Sequence, residues 1–346
     1  MTVGAIELAP VAVTMGEPAG VGVEIVLKSW LKYEQQQLPP FFLIGDPAHA
    51  RAMAGLLHDE VPVVEIDEPE QAAAAIRRGL PVMPLALSAE VRPGHPDPLN
   101  APHVIEAIDR AVAYTRIGAV SAVATAPIQK SVLYAIGFKF PGHTEYLAHL
   151  CGATEEPVML LASPGVRAVP VTIHMALSEA LSQLNADLIV RQSEITARAL
   201  REDFGLPRPH LALAGLNPHA GEGGDLGRED IEIVAVAVQR LRDSGIEVSG
   251  PHAPDSMFHA KMRETYDAAI CMYHDQALIP VKALGFDIGI NITLGLPIVR
   301  TSPDHGTALA LAGTGRANPA SMISAIGTAG VIAHRRAKSA EHDGGA

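Results

Sequence analysis

The sequence predicts an α/β fold built on a mostly parallel sheet, and three observations carry that reading. Short apolar, β-branched runs alternate with segments of helical spacing along the chain, as right-handed strand, helix, strand crossovers require. Several of those runs stop at Gly, Pro or a polar side chain, as strands of an open sheet do where their carboxyl ends face a ligand. With 346 residues, 48% of them hydrophobic and 18% charged, the chain has apolar surface for about two cores and no compositional sign of disorder.

Val11 to Met15 reads as the first strand, broken at Gly16-Glu17-Pro18-Ala19-Gly20-Val21-Gly22, after which Glu24 to Lys32 has helical spacing. Phe41 to Ile44, the Gly45-Asp46-Pro47 break and Ala48 to Leu57 repeat the unit. Pro81 to Pro102, rich in Pro and small polar residues, reads as a loop or linker. A helix over His103 to Thr115 precedes the strand Ala119 to Thr125, which stops at Ala126-Pro127. The segment GFKFPGHTE, Gly137 to Glu145, is turn-rich and leads into a helix through Leu150. Strands over Arg167 to Ile173, Leu211 to Leu216 and Ala268 to Tyr273 then end at His174, at Asn217-Pro218-His219 and at His274. Helices over Leu177 to Glu202 and Asp230 to Ser244 separate them.

Lys plus Arg number 26 against 38 Asp plus Glu, a formal charge of −12, which argues against nucleic acid or an anionic membrane as a partner. An anionic ligand must then be gripped by local cations against an unfavourable field. MTVGAIELAP lacks a basic leader with an apolar core, and no apolar run approaches the roughly 18 residues that span a bilayer. The expected compartment is the cytoplasm. Cys151 and Cys271, 120 positions apart, form no Cys-x-x-Cys pair, which suits a reducing compartment and supplies no thiolate metal site.

The stretch from Ala268 to Gly313 carries the densest set of candidate site residues, with His274, Lys282, Asn291, Arg300 and His305 on sparsely charged, Gly- and Pro-broken segments. His174, His219 and His274 share one context, an apolar strand that stops at the histidine. On neighbouring parallel strands, three such imidazoles would suit a divalent ion such as Zn or Co. The competing reading of any one histidine is an ordinary solvated or capping residue, kept here for His49 and His103. Gly16 to Gly22 is neither a dinucleotide fingerprint nor a P-loop, so a purely structural turn competes with a ligand loop. Glycines around Asn217, His219, Glu222 and Asp225 allow backbone to approach a ligand. Lys282, Asn291, Arg300 and Thr144 are candidates for a phosphate or carboxylate clamp, against the alternative that the two cations are exposed and snorkel.

Thr14-Met15-Gly16-Glu17-Pro18-Ala19-Gly20-Val21-Gly22, Pro141-Gly142-His143-Thr144-Glu145, Gly215 to Gly224, Tyr273-His274-Asp275-Gln276 and Arg300-Thr301-Ser302-Pro303-Asp304-His305-Gly306-Thr307-Ala308 closely resemble, in order, the signature segments of the 4-hydroxythreonine-4-phosphate dehydrogenase family. The resemblance implies an isocitrate/isopropylmalate-dehydrogenase-like fold, two α/β lobes with a cleft between them. It also implies oxidation of 4-phosphooxy-L-threonine at C3 by NAD or NADP, then decarboxylation to 3-amino-2-oxopropyl phosphate, a step toward pyridoxal 5′-phosphate. A homodimer with its active site at the dimer interface is implied as well. Position by position, His174, His219 and His274 match the ligands of one divalent ion (Zn, Mg or Co), one of the three contributed across the dimer interface. His143, Thr144, Lys282, Asn291 and Arg300 match substrate-binding residues.

Asp275 or Asp255 could orient a ligand histidine or relay a proton beside His274. Asp304, His305 and Gly306, within Ser302 to Gly313, are the candidates for cofactor contact. Residues 1–130 with 300–346 are expected to form the cofactor-side lobe, and 131–299 the lobe with metal, substrate and dimer contacts. Three competing readings stand beside this one. The first is a sibling dehydrogenase of a four-carbon sugar-acid phosphate such as D-threonate or D-erythronate 4-phosphate, or of a cyclic dihydrodiol carboxylate. The second is a metal-dependent hydrolase or lyase without a redox step, and the third a non-catalytic metabolite-binding module.

Overall fold

The structure, a computed structural model, describes residues 8–57 and 61–343, with side chains to 340. Its described strands are β1 (Val11–Thr14), β2 (Phe41–Gly45), β3 (Val63–Glu65), β4 (Leu80–Pro84), β5 (Ala122–Thr125), β6 (Val158–Ser163), β7 (Val166–Thr172), β8 (His210–Ala214), β9 (Glu247–His252), β10 (Ala268–Tyr273), β11 (Ile290–Leu294) and β12 (Arg300–Pro303). The chain divides into two units, one built from residues up to Pro157 together with those from Leu296 on, the other from Val158–Gly295.

In the first unit the strand order is β3-β4-β2-β1-β5-β12, and every neighbouring pair is parallel. β1, β2 and β5 are buried along their whole length, which explains why they read as continuous apolar runs rather than alternating ones; β12, Arg-Thr-Ser-Pro, is buried as well. Helices cover the sheet. Ala101–Arg116 buries Val104, Ala107, Ile108, Ala111 and Val112, the i, i+3, i+4, i+7, i+8 stripe of an amphipathic helix. Pro47–Leu56 starts where Asp46 accepts from the N–H groups of Ala48 and His49, at 2.7 and 3.1 Å, with Pro at the first helical position. Part of the expected Pro81 to Pro102 loop is strand instead: Leu80, Pro81, Val82 and Met83 are buried in β4, so apolar burial outweighs the strand-breaking tendency of proline. The Gly137–Glu145 loop and the helix His143–Cys151 lie in this unit, where the Tyr146 hydroxyl donates to Asp109 of the helix Ala101–Arg116.

The Gly16 to Gly22 turn is a packing joint. Gly16 sits at φ +67, and a Cβ there would lie 2.4 Å from Pro127 O; one on Gly22 would lie 2.5 Å from Met15 O. Glu17 N donates to Pro127 O at 2.9 Å and Val21 N to Thr307 O at 3.0 Å. Backbone meets backbone there, so the glycines answer a steric demand.

In the second unit the order is β11-β6-β7-β10-β8-β9. The pairs β7/β10, β10/β8 and β8/β9 are parallel, while β6 runs antiparallel to β7 and β11. Leu161, Val166, Ala168, Ala212, Ala214, Met257, Ala269, Cys271, Ala277 and Val281 share one core cluster. The helices expected over Leu177 to Glu202 are Leu177–Gln183 and Ala186–Glu202. They part at Asn185, whose side chain accepts from Leu188 N at 2.9 Å and caps the second. Among the described residues no helix is long and apolar enough to cross a membrane.

Gly16→Ala forces a side chain into a left-handed residue pressed against Pro127 O. It is expected to lower unfolding stability by about 1–3 kcal/mol, read as a shift of the denaturant midpoint; an unchanged midpoint would mean that the joint relaxes freely.

Candidate functional site

β7, β10 and β8 are adjacent and parallel, so their carboxyl ends share one edge of the second unit, and each leads to one candidate histidine. His274 is the first residue of the helix His274–Gly285, directly after β10. His174 follows β7 at φ +51. His219 lies beyond β8 in the turn Pro218–Gly224, where residues 219 to 223 take φ values of 53, 53, 79, 44 and 70. Non-glycine residues in this region cost on the order of 1 kcal/mol each.

Side chains hold the edge in shape. Asp230, 1% exposed, accepts from Leu216 N at 2.6 Å, Asn217 N at 3.1 Å and Asn217 Nδ2 at 3.0 Å. Gln276 accepts from Met272 N through Oε1 and donates to Gly215 O through Nε2, both at 2.7 Å. Thr172 Oγ1 donates to Met272 O at 2.8 Å. These three residues organise the loops that carry His174, His219 and His274. Gln276 sits in the Tyr-His-Asp-Gln motif, but nothing in the spacing of Asp230 distinguishes it from an ordinary first-turn acid.

The rings of His174 and His274 lie 5.6 Å apart, centroid to centroid. Two imidazoles sharing one tetrahedral ion, each nitrogen about 2.0–2.1 Å from it, would place their centroids roughly 5 Å apart, so this pair fits a common ion. Among the described residues no three His, Cys, Asp or Glu side chains converge on one point, so His219 does not complete the set within this chain, nor do Asp255 or Asp275. His274 Nδ1 donates to Asp275 Oδ1 at 2.9 Å, which makes Nε2 the ring nitrogen that could face a ligand. Asp255 is exposed on the short helix Pro254–Met257. Lys282 Nζ sits 5.9 Å over the Phe286 ring. Asn291, on β11, has a buried Oδ1 with no hydrogen-bond partner, an acceptor left to a ligand or to water.

In the first unit Arg300 opens β12 and is 3% exposed, which removes the snorkelling alternative. Its Nε and Nη2 both donate to Thr125 Oγ1, at 3.2 and 2.7 Å, and Thr125 is the last residue of β5. Burial pulls the guanidinium down to about 10, against the attraction of Glu145; the group stays charged at neutral pH. His143 and Thr144 open the helix His143–Cys151. The His143 Nε2 is buried and unpartnered. Burial first, then the charges of Arg300 and Lys130, hold this imidazole well below its ordinary range, so the ring is neutral between two cations. Lys130, the first residue of Lys130–Ala135, carries no sequence signal separating it from a solvated helix-start lysine. Packing of Phe138 and Phe140 against the Tyr146 ring, centroids 5.0 Å away in each case, steadies the helix behind His143.

Asp304 N donates to Ser321 Oγ at 3.3 Å and His305 Nδ1 to Gly306 O at 2.9 Å; Gly306 faces open space. His49 and His103, given an ordinary surface or capping role, each bury one ring nitrogen without a hydrogen bond, Nε2 and Nδ1 respectively, and His103 Nδ1 lies 3.8 Å from Glu106 Oε2.

The family described as "Pyridoxal phosphate biosynthetic protein PdxA" matches residues 37–329. The 4-hydroxythreonine-4-phosphate dehydrogenase of Caulobacter vibrioides is 50% identical over 332 residues, covering 94% of this chain and 98% of that protein. The enzyme of the same name from Bradyrhizobium diazoefficiens is 49% identical over 328 residues, covering 92% and 95%. The crystal structure of the Klebsiella pneumoniae 4-hydroxythreonine-4-phosphate dehydrogenase matches with a TM-score of 0.83 at 40% identity, over 94% of this chain and 99% of that one. With the family matched over most of the chain and its relatives aligned nearly end to end, this chain belongs to the PdxA family of pyridoxal phosphate biosynthetic proteins.

Proposed function

We propose that this chain is a 4-hydroxythreonine-4-phosphate dehydrogenase, oxidising 4-phosphooxy-L-threonine at C3 with NAD or NADP and yielding 3-amino-2-oxopropyl phosphate and CO2. The observation that carries the substrate class is the buried, charged Arg300 beside a neutral His143 in an otherwise acidic protein. A buried guanidinium of this kind favours an anionic ligand beside the Glu145 carboxylate that already attracts it.

His143, Thr144, Arg300, Lys282 and Asn291 are assigned to substrate. Arg300 supplies a fixed positive charge for phosphate. Thr144 adds a hydroxyl, and the first-turn N–H groups of its helix favour negative charge. His143 remains neutral beside Arg300 and Lys130, so it can donate to an oxygen without adding charge. Binding energy taken up on the phosphate is spent on holding C3 in place.

A bound nicotinamide cofactor would supply the hydride acceptor for C3. His174, His219 and His274, the set completed in a homodimer, would hold a divalent ion (Zn, Mg or Co), which would supply Lewis-acid chemistry toward the C3 hydroxyl. Asp275 fixes the His274 tautomer, and Asp255 is the candidate to carry the hydroxyl proton away. Asp304, His305 and Gly306 are assigned to the cofactor, which makes the first unit the cofactor side and the second the metal side. Loss of CO2 from the resulting β-keto acid leaves its electron pair on carbon, where a proton then adds. A sugar-acid phosphate would use the same phosphate contacts. Nicotinamide reduction measured in parallel on 4-phosphooxy-L-threonine, D-threonate 4-phosphate and D-erythronate 4-phosphate tests the choice, and preference for a sugar acid would overturn it.

Chelation is expected to abolish turnover, and readdition of Zn, Mg or Co to restore it. His174→Ala should not be rescued by metal, although its unfolding midpoint stays within error of the parent. Full activity in that variant would remove the metal assignment.

Arg300→Met is expected to raise KM for the phosphorylated substrate by about 10–100-fold, the worth of a hydrogen bond to a charged group. An unchanged KM would place Arg300 outside the phosphate site.

Because its folded pKa is depressed, His143 stabilises the fold fully above the unfolded value near 6.5 and progressively less as the pH falls below it, where only the unfolded chain takes up the proton. His143→Gln should therefore flatten the loss of stability between about pH 7 and 5, read from denaturant midpoints at several pH values. Parallel curves for the two proteins would show that the ring is protonated in the native state.

A further inference from the structure

We propose that Glu24 and Lys28 are positioning residues for the cofactor segment Ser302 to Gly313, an inference that rests on assigning Asp304, His305 and Gly306 to the nicotinamide cofactor. The pair lies on the helix Gly22–Leu31, which follows the glycine joint and has no part in the chemistry set out above. The Glu24 side chain is 0% exposed and that of Lys28 16%. Lys28 Nζ donates to Glu24 Oε1 at 2.9 Å, to Gly315 O at 2.8 Å and to Ala317 O at 2.8 Å, which uses all three of its protons. Glu24 Oε2 accepts from Gly313 N and Oε1 from Ala317 N, each at 3.1 Å.

Apart from the contact within the pair, all of these bonds go to the backbone of one short turn. That turn has two left-handed glycines, Gly313 at φ +72 and Gly315 at φ +71, and starts where the cofactor segment ends. A buried ion pair used only to join core elements would have no reason to spend every bond on one irregular turn. The rest of the segment is pinned in the same manner. Asp304 N is bonded to Ser321 Oγ, Thr307 O accepts from Val21 N, and Thr307 Oγ1 donates to Gln129 Oε1 at 2.9 Å. The anchors at 304 and 307 flank His305 and Gly306, and Gly306 faces open space. The turn and helix from Gly16 to Leu31 therefore hold the segment at Thr307 and at Gly313, and present its tip between fixed ends.

The test is steady-state kinetics on the metal-loaded enzyme with cofactor and substrate varied separately. Lys28→Met is expected to raise the cofactor KM by about tenfold, one factor of ten in binding, while the phosphorylated substrate's KM moves less than about twofold. Glu24→Gln, which keeps the shape and one acceptor, should show the same split at smaller amplitude, and serves if Lys28→Met does not fold. Trp30→Phe, on the same helix, removes the 2.8 Å bond from Trp30 Nε1 to Ile76 O without touching the turn, and should leave the cofactor KM unchanged. Equal effects from Lys28→Met and Trp30→Phe, or a cofactor KM that neither Lys28→Met nor Glu24→Gln moves, would overturn the proposal. Gly306→Val separates the two levels: it fills open space, so an unchanged cofactor KM in that variant removes the cofactor assignment itself. A raised one with Lys28→Met silent removes only the positioning role.

Discussion

The second unit depends on how three parallel strands are finished off at one edge. A β-ladder ends where its strands diverge, and the last N–H and C=O groups then need other partners. Here side chains supply them. Gln276 joins Met272 N to Gly215 O, and Thr172 takes Met272 O, so the ends of β7, β10 and β8 stay in register beyond their own hydrogen bonds. The His174 and His274 segments cannot drift apart without breaking buried bonds, and an unsatisfied buried group costs about 1–3 kcal/mol. Asp230 does the same for the turn bearing His219. Rigidity at this edge therefore comes from neutral amides, a hydroxyl and one carboxylate rather than from the imidazoles.

In the first unit the organising term is charge. A formal −12 repels anions at long range, but salt screens exposed charges beyond about 8–10 Å. The local field around Arg300 is set instead by burial, by the nearby Glu145 carboxylate, by the Thr125 hydroxyl and, beside His143, by Lys130. Taking a cation out of water costs several kcal/mol, which the Thr125 hydroxyl and the attraction of Glu145 help to offset. A site prepared in this way gains most from an anion that completes it. Phosphate carries two negative charges and several acceptors, so it suits the arrangement better than a lone carboxylate.

Much of this was legible in the sequence because burial on both faces writes itself as uninterrupted apolar runs. Val11 to Thr14, Phe41 to Gly45 and Ala122 to Thr125 were readable as parallel strands for that reason, and the adjacency of the three histidine strands follows from their shared ending. What was not legible arose where packing overrode local preference. Pro81 reads as a breaker, yet it lies in β4 because its neighbours bury completely. The point where the helices over Leu177 to Glu202 part, capped by Asn185, carried no specific signal. Lys130, Thr125 and Asp230 act through partners 13 to 175 positions away, and spacing within one segment cannot report a partner in another. The Gly16 to Gly22 turn left two readings open, and steric contact with Pro127 and Met15 favours the structural one.

The backbone at His174 and His219 gives a further reason to weigh these histidines as ligands. A histidine that merely fills space or faces solvent gains nothing from a left-handed conformation, and any surrounding loop could relieve it at little cost. Both residues nevertheless sit near φ +50, just past the ends of β7 and β8, and in the second case Ala220 and Glu222 share the strain. The Asp230 bonds and the close approaches of Gly215 and Gly227 to their neighbours keep that turn from relaxing. Strain held in place by buried hydrogen bonds is what a site needs when its ligands must be aimed before anything binds. His274 reaches the same edge without strain, because a helix start already turns the chain. Two unrelated backbone solutions thus deliver imidazoles to one edge, an outcome that packing alone does not require.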